Sequence, residues 1–303
     1  MGVPSWLVTL GYSLGCSPKT HRPDVEKALA PRLLWDVVKL GRIGFRLFLL
    51  SGLGIAVTIV VLLIVAQATY ADPTSNATGP LAALGQRDIR SAITLSLFTA
   101  TVSSLIALAI AIPAAYMLAR SQRRWMKIVD ALLDVPLVLS PVVIGISLLL
   151  LFRSSPGRWF ESNIVRVIFE VPGIIVAQTV LALAMEIRVL KAAFEDVDPR
   201  LEQTARTLGC TPWGAFWRVT LPMARSGVIA ALVLGWSRAL GDFGATVTIA
   251  GAMPNKTETM PLAVYSRLES IQISKALGLS MLLFMIAFAV LIAVRVAAER
   301  RRR

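Results

Sequence analysis

Apolar residues in this chain do not alternate with polar ones; they collect into long continuous runs separated by short polar stretches. Six runs cover approximately residues 47–67, 93–118, 135–152, 171–190, 226–250 and 276–294. About 20 mainly apolar residues in an α-helix cross the roughly 30 Å hydrocarbon core of a bilayer, and in lipid only helices or closed barrels satisfy every backbone amide. The runs are too long and unbroken for the roughly 10-residue alternating strands of an outer-membrane barrel. The pattern predicts an all-α, polytopic membrane protein with about six transmembrane helices.

The polar stretches are not equivalent. Residues 1–46 mix proline, glycine and charge, with one amphipathic segment, "ALAPRLLWDVVKLGRIGFRLF", that is either a surface-lying helix or an irregular tail. The stretches 68–92, 153–170 and 251–275 are each too short for a folded domain. The stretch 191–225 carries dense local signals. Asp198 stands where it can cap a helix that begins at Pro199 and has Glu202 in its first turn. Leu201, Ala205 and Leu208 then fall on one helical face, and Gly209 is placed to end the helix in a left-handed turn. Thr211 and Pro212 restart a helix that carries Trp213, Phe216 and Trp217, and Leu221-Pro222 is expected to break it before the fifth run. Two short helices at an angle, with aromatic side chains available to pack, are expected to form a docking knob for another protein.

Composition and charge sharpen the membrane reading. The hydrophobic share is 56%, against roughly 45–50% in soluble domains. Of the 31 Lys and Arg, 22 lie on the side of the two termini and 8 on the other, with Arg238 inside a run. Basic residues are retained on the cytoplasmic side, so both termini are expected there, in the cell membrane. The net charge of +13 is thereby spread over loop ends, the Arg300–Arg303 tail included, and does not point to nucleic acid. Cys16 and Cys210 fall on the side where disulfides are rare, without partners at metal-ligand spacing, and His21 lies in the tail. The "NAT" and "NKT" triplets at Asn76 and Asn255 carry no reading.

The stretch from Glu202 to Pro222 resembles the cytoplasmic loop of the membrane-spanning subunits of ABC importers, marked by an acidic-Ala-Ala start, a glycine and an Ile-x-Leu-Pro close. Here the pattern is carried by Glu202, Gln203, Thr204, Ala205, Gly209, Val219, Leu221 and Pro222, with Thr204 and Val219 as mild departures. The resemblance implies a type I ABC-importer permease fold, of the MetI-like kind, over about residues 86–295, with a coupling loop at 191–225. That loop would seat on the ATPase through Glu202, Ala205, Leu208, Gly209, Pro212, Trp213, Leu221 and Pro222. The tail 1–46, the extra first span 47–67 and the basic end 296–303 lie outside it.

A narrower resemblance is carried by "LDVPLVLSPVVIGISLLLLF" at 133–152, "LEQTARTLG" at 201–209 and "SRALGDFGATVTIAGAMPNKTETMPLAVYSRLES" at 237–270. These are similar to the molybdate permeases, with Asp242 where that group usually has Glu; the sulfate and thiosulfate permeases are next. The resemblance implies a homodimer, two copies of a separate ATPase that carry the ATP and Mg, and an extracytoplasmic binding protein that delivers molybdate or tungstate. This chain itself would hold no cofactor or metal and catalyse no reaction, and it contains no G-x-x-x-x-G-K-[S/T], H-E-x-x-H or G-x-S-x-G motif. An ion-coupled secondary transporter is the rival class, for which inverted repeats are expected and none is visible.

Ionisable residues inside the runs supply the pathway candidates. Arg238 costs roughly 2.5–3.5 kcal/mol at mid-membrane on insertion scales. Asp242, four residues on, can pair with it one turn away, either as a structural ion pair or as part of an oxyanion pathway. Gly244 allows close helix approach, and Thr246 and Thr248 can hydrogen-bond an oxyanion or serve packing. Glu186 and Arg188 are expected to reach the interface at the end of the fourth run. Residues 252–265, "AMPNKTETMPLAVY", are expected to meet a delivering protein, line an entrance or connect two spans.

Overall fold

A computed structural model describes residues 49–62, 64–66, 87–121 and 123–300. Cys16, His21, the Asn76 triplet and Arg301–Arg303 lie outside the described residues. The chain divides into two units at Thr69. The first contains the apolar helix α1 (Leu49–Ala66). The second contains α2 (Arg87–Arg120), α3 (Arg124–Val138), α4 (Pro141–Arg153), α5 (Ser155–Asn163), α6 (Val171–Glu195), α7 (Pro199–Thr207), α8 (Pro212–Met223), α9 (Arg225–Leu240), α10 (Gly244–Ala250), α11 (Met260–Glu269) and α12 (Ile273–Arg300).

Helices α1, α2, α6 and the 275–292 part of α12 are each long and apolar enough to cross a bilayer alone. The third and fifth expected spans are broken. Helices α3 and α4 meet at 110°, so the run 135–152 straddles a corner and is not one helix. The cause is local: Pro141 has no N–H to continue a helix, and it holds Ser140 in the extended region, with φ −60° and ψ 137°. The run 226–250 is likewise interrupted between Leu240 and Gly244. Hydropathy is blind to both breaks because each is only a few residues long and apolar residues resume on either side.

The centre of the second unit is the packing of α2 against α6 and α9. Ala100, Ala107, Ala111 and Ala115 are fully buried on α2, a small-residue stripe that lets helix backbones approach closely in lipid. The Ser103 hydroxyl donates to the Ile175 carbonyl at 3.1 Å, the kind of interhelical bond worth about 0.6 kcal/mol in a membrane. Toward the α6 C-terminus the core combines Leu118, Met126, Ile187, Leu190, Phe194 and Phe216. Toward the other end it combines Ile144, Val167, Ile174, Ala177, Ala245 and Ile249.

Two features stiffen the broken spans. Asp130 of α3 pairs with Lys191 of α6 at 2.6 Å, and Asp134 pairs with Arg188 one turn away. Helices α4 and α10 cross with their backbones in contact. A Cβ on Gly145 would lie 2.9 Å from the Ala245 Cα, and one on Gly244 would lie 2.9 Å from the Val142 Cγ2. The segment between α10 and α11 is more than a connector. Its Asn255 amide donates to Asp88 at 3.0 Å, Ser91 donates to Asn255 at 3.1 Å, and Lys256 pairs with Glu170, so it is fastened to the starts of α2 and α6.

Candidate functional site

The turn-helix-turn after α6 forms as its local signals dictate. The Asp198 carboxylate accepts from the Arg200 N–H at 2.9 Å, with Pro199 opening α7. The helix closes in a Schellman motif: the Gly209 N–H donates to Arg206 at 3.1 Å and the Cys210 N–H to Ala205 at 3.0 Å. Gly209 sits at φ +93° with open space where a Cβ would stand. Its glycine is therefore demanded by backbone conformation and not by crowding. The Thr211 hydroxyl accepts from the Gly214 N–H at 3.1 Å and starts α8 at Pro212.

One expected feature is corrected. Leu221-Pro222 does not end the helix; residues Phe216–Thr220 widen into a π turn, and the Leu221 N–H donates to Phe216. The 73° bend between α8 and α9 comes after Met223. A π turn alters the i→i−4 ladder upstream of a proline that has no N–H to contribute, and such turns recur at functional places.

Glu202 holds this element to the helix bundle. Its Oε1 accepts from Arg120 Nη2 at 2.6 Å, Arg120 Nε at 3.0 Å and the Thr220 hydroxyl at 2.7 Å, and its Oε2 accepts from the Tyr116 hydroxyl at 2.8 Å. Burial alone would raise the Glu202 carboxyl; the bonds from Arg120, Thr220 and Tyr116 outweigh it and hold the group below its ordinary value. Arg120 also donates to the Val197 carbonyl at 3.0 Å. Tyr116 and Phe194 pack on buried Phe216, the Tyr116 ring centroid 4.8 Å from that of Phe216. Sequence reasoning missed Tyr116, Arg120 and Thr220, because their convergence is tertiary.

The outer face of the same element is apolar and open. Leu208 is 82% exposed, Trp213 71% and Trp217 51%, beside exposed Leu201, Pro212, Met223 and Pro222. Ala205 and Leu221 are half-buried beneath them. Of the eight loop residues singled out from the sequence, Glu202 is the polar root, Ala205 and Leu221 are half-buried, and Leu208, Gly209, Pro212, Trp213 and Pro222 are exposed.

The pathway candidates gather at the α9–α10 break. Asp242 is buried, and its Oδ2 accepts from the Thr246 N–H at 3.0 Å and the Thr246 hydroxyl at 2.7 Å. The carboxylate therefore starts α10. Arg238 and Asp242 do pair, but loosely, Nη1 to Oδ1 at 3.9 Å. Thr248 donates to the Gly244 carbonyl at 2.7 Å. In this conformation both threonine hydroxyl protons are engaged, one by Asp242 and one by the Gly244 carbonyl, while the Arg238 side chain remains 29% exposed.

Glu186 departs from expectation. It does not reach an interface; it is fully buried, neither carboxyl oxygen has a hydrogen-bond partner among the described residues, and it lies against Gly235 of α9. Arg188, by contrast, is exposed and paired.

Residues 107–303 match the family described as "Binding-protein-dependent transport system inner membrane component". The chain belongs to that family. The sulfate transport system permease protein CysW of Synechocystis is 33% identical over 256 residues, covering 84% of this chain and 93% of that relative. The molybdenum transport system permease protein ModB of Haemophilus influenzae is 38% identical over 187 residues, covering 59% of this chain and 80% of that relative. The solved bacterial alginate ABC transporter, in complex with an alginate-bound periplasmic protein, superposes with a TM-score of 0.69 at 15% identity, covering 88% of this chain and 97% of that one. The fold is that of a type I ABC-importer permease. This inner-membrane component is a multi-pass transport subunit of the molybdate and sulfate permease group.

Proposed function

We propose that this permease passes molybdate or tungstate into the cytoplasm by alternating access, as a homodimer driven by two copies of a separate ATPase. ATP and Mg belong to that partner, and an extracytoplasmic binding protein delivers the oxyanion. The observation that carries the reading is the pairing of an exposed aromatic knob, Trp213 and Trp217, with a rigid root, Glu202 on Arg120. A capped, braced lever transmits displacement, where a Gly/Ser linker would absorb it. Both termini and the α7–α8 element face the cytoplasm by the distribution of basic residues.

Within the pathway, Arg238 supplies positive potential for a dianion, and the neighbouring Asp242 keeps that attraction shallow. A shallow site suits transport, since a deep anion trap would prevent release. Sulfate is the second reading; it is favoured by the greater share of this chain, 84% against 59%, that aligns with the sulfate permease relative.

The test is uptake of labelled molybdate in cells that lack their own high-affinity system and express this chain with its ATPase and binding protein, with and without excess sulfate. Uptake that needs the ATPase and resists sulfate supports the molybdate reading. Uptake abolished by sulfate moves the chain to sulfate, and uptake independent of the ATPase but dependent on a proton gradient would replace the ABC reading with the secondary-transporter one.

A further inference from the structure

Resting on the permease reading above, we propose that Glu186 is the alternate partner of Arg238: the arginine pairs with Asp242 in this conformation and with Glu186 in another stage of the transport cycle. Asp242 stands in the break between α9 and α10, two residues past Leu240, and its N–H donates to the Ala239 carbonyl at 3.2 Å. Asp242 is bound to α10 by its two bonds from Thr246. Helix α10 is in turn locked to α4 by the reciprocal contacts of Gly145 and Gly244. Arg238 rides on α9, and Glu186 on α6.

The present pairing is incomplete on both sides. Arg238 reaches Asp242 only at 3.9 Å, and Asp242 Oδ1 has no hydrogen bond. A carboxyl group that is fully buried with both oxygens unbonded, as in Glu186, is costly in a membrane interior. Among the described residues no charged side chain pairs with it. What it touches is Gly235, where even a methyl group would collide with the carboxyl.

Gly235 and Arg238 are three residues apart on α9, about 4.5 Å along the axis at 1.5 Å per residue. A one-turn displacement of one packed element past another, about 5.4 Å, is an established form of switching. A shift of α9 toward α8 of that order brings Arg238 to the level of Glu186 and withdraws it from Asp242, which α10 holds back. Two extended residues span at most about 7 Å, so the last turn of α9 must unwind, with the Asp242 and Gly241 N–H groups released from Ala239 and Ser237. Helix α9 follows α8 directly, so movement of the α7–α8 element is delivered to it first. Glu186 then acts as a positioning residue: it stabilises the second register of α9 and sets where the positive charge of Arg238 stands along the pathway.

The test uses the full chain with its ATPase in proteoliposomes, carrying E186C and R238C in a C16S, C210S background. A disulfide forms only where the two Cα atoms come within about 7 Å. The expected result is oxidative cross-linking within one chain that differs severalfold between the nucleotide-free and the ATP–vanadate-trapped complex. In parallel, E186Q on the native chain is expected to assemble and hydrolyse ATP but lose uptake severalfold, with partial rescue by E186D. Equal cross-linking in both states, including none in either, or normal uptake by E186Q, overturns the proposal. A wild-type complex that takes up no oxyanion would instead fail the permease reading itself.

Discussion

Glu202 on α7 and Arg120 at the end of α2 stand 2.6 Å apart across 82 residues of chain. The contact joins the element that faces outward to the helix at the centre of the bundle. Removing the charge with E202Q leaves Arg120 without its carboxylate, a loss of about 1–3 kcal/mol for a hydrogen-bonded charge. The expected outcome is a lower melting temperature of the detergent-solubilised protein and weaker coupling of ATP hydrolysis to uptake. Because the folded-state carboxyl is held below 4.5, its contribution is fully present above that pH and is lost as pH falls through the lower folded value. The melting difference between wild type and E202Q should be constant above about pH 5 and shrink toward acid. A difference that grows toward acid would contradict the network.

Gly209 should tolerate substitution poorly despite its exposure. With φ at +93°, a β-branched residue there is strained, at a cost of roughly 1–2 kcal/mol. Gly209→Val is expected to insert and assemble normally while ATP hydrolysis proceeds without matching uptake. Parallel ATPase and uptake rates in one proteoliposome preparation check this; matched, wild-type rates would remove the requirement for the turn.

Trp213 and Trp217 are expected to matter for assembly and not for folding. Their rings are largely exposed, so W213A and W217A should leave the stability within about 0.5 kcal/mol of wild type. Large aromatic residues at interface centres typically cost 2 kcal/mol or more on truncation. Co-purification of the ATPase should therefore fall at least tenfold in either variant, and full retention would place the docking surface elsewhere.

Glu258, buried between α10 and α11, predicts a second pH effect of opposite sign. Burial raises its carboxyl above 4.5, the Arg267 guanidinium opposes that, and the Asp88 carboxylate adds to it. The folded state therefore binds more protons than the unfolded state between 4.5 and the raised value, so stability falls as pH rises through that window. E258Q should flatten this part of the melting profile and be neutral or stabilising at its upper end. An unchanged profile would contradict the burial.

Much of the architecture was legible in the chain because its signals are local. Apolar runs marked the membrane helices, since lipid forces each backbone to satisfy itself within its own segment. Asp198, Pro199, Gly209, Thr211 and Pro212 set the α7–α8 element from within a few residues of one another, and the structure closes each cap with the neighbours that the spacing specifies. The breaks at Ser140 and between Leu240 and Gly244 were harder, although Pro141 was in plain view. A continuous hydropathic run carries no record of direction.

What only the tertiary structure decided are the meetings between distant residues. Nothing in the spacing of Tyr116, Arg120, Glu202 and Thr220 brings them to one carboxylate; the packing of α2 against α6 does. Nothing local distinguishes Glu186, which lies buried against Gly235, from Arg188 two residues later, which pairs with Asp134. Helical periodicity separates two such positions by about 200°, and which side meets a neighbouring helix is settled by the fold as a whole.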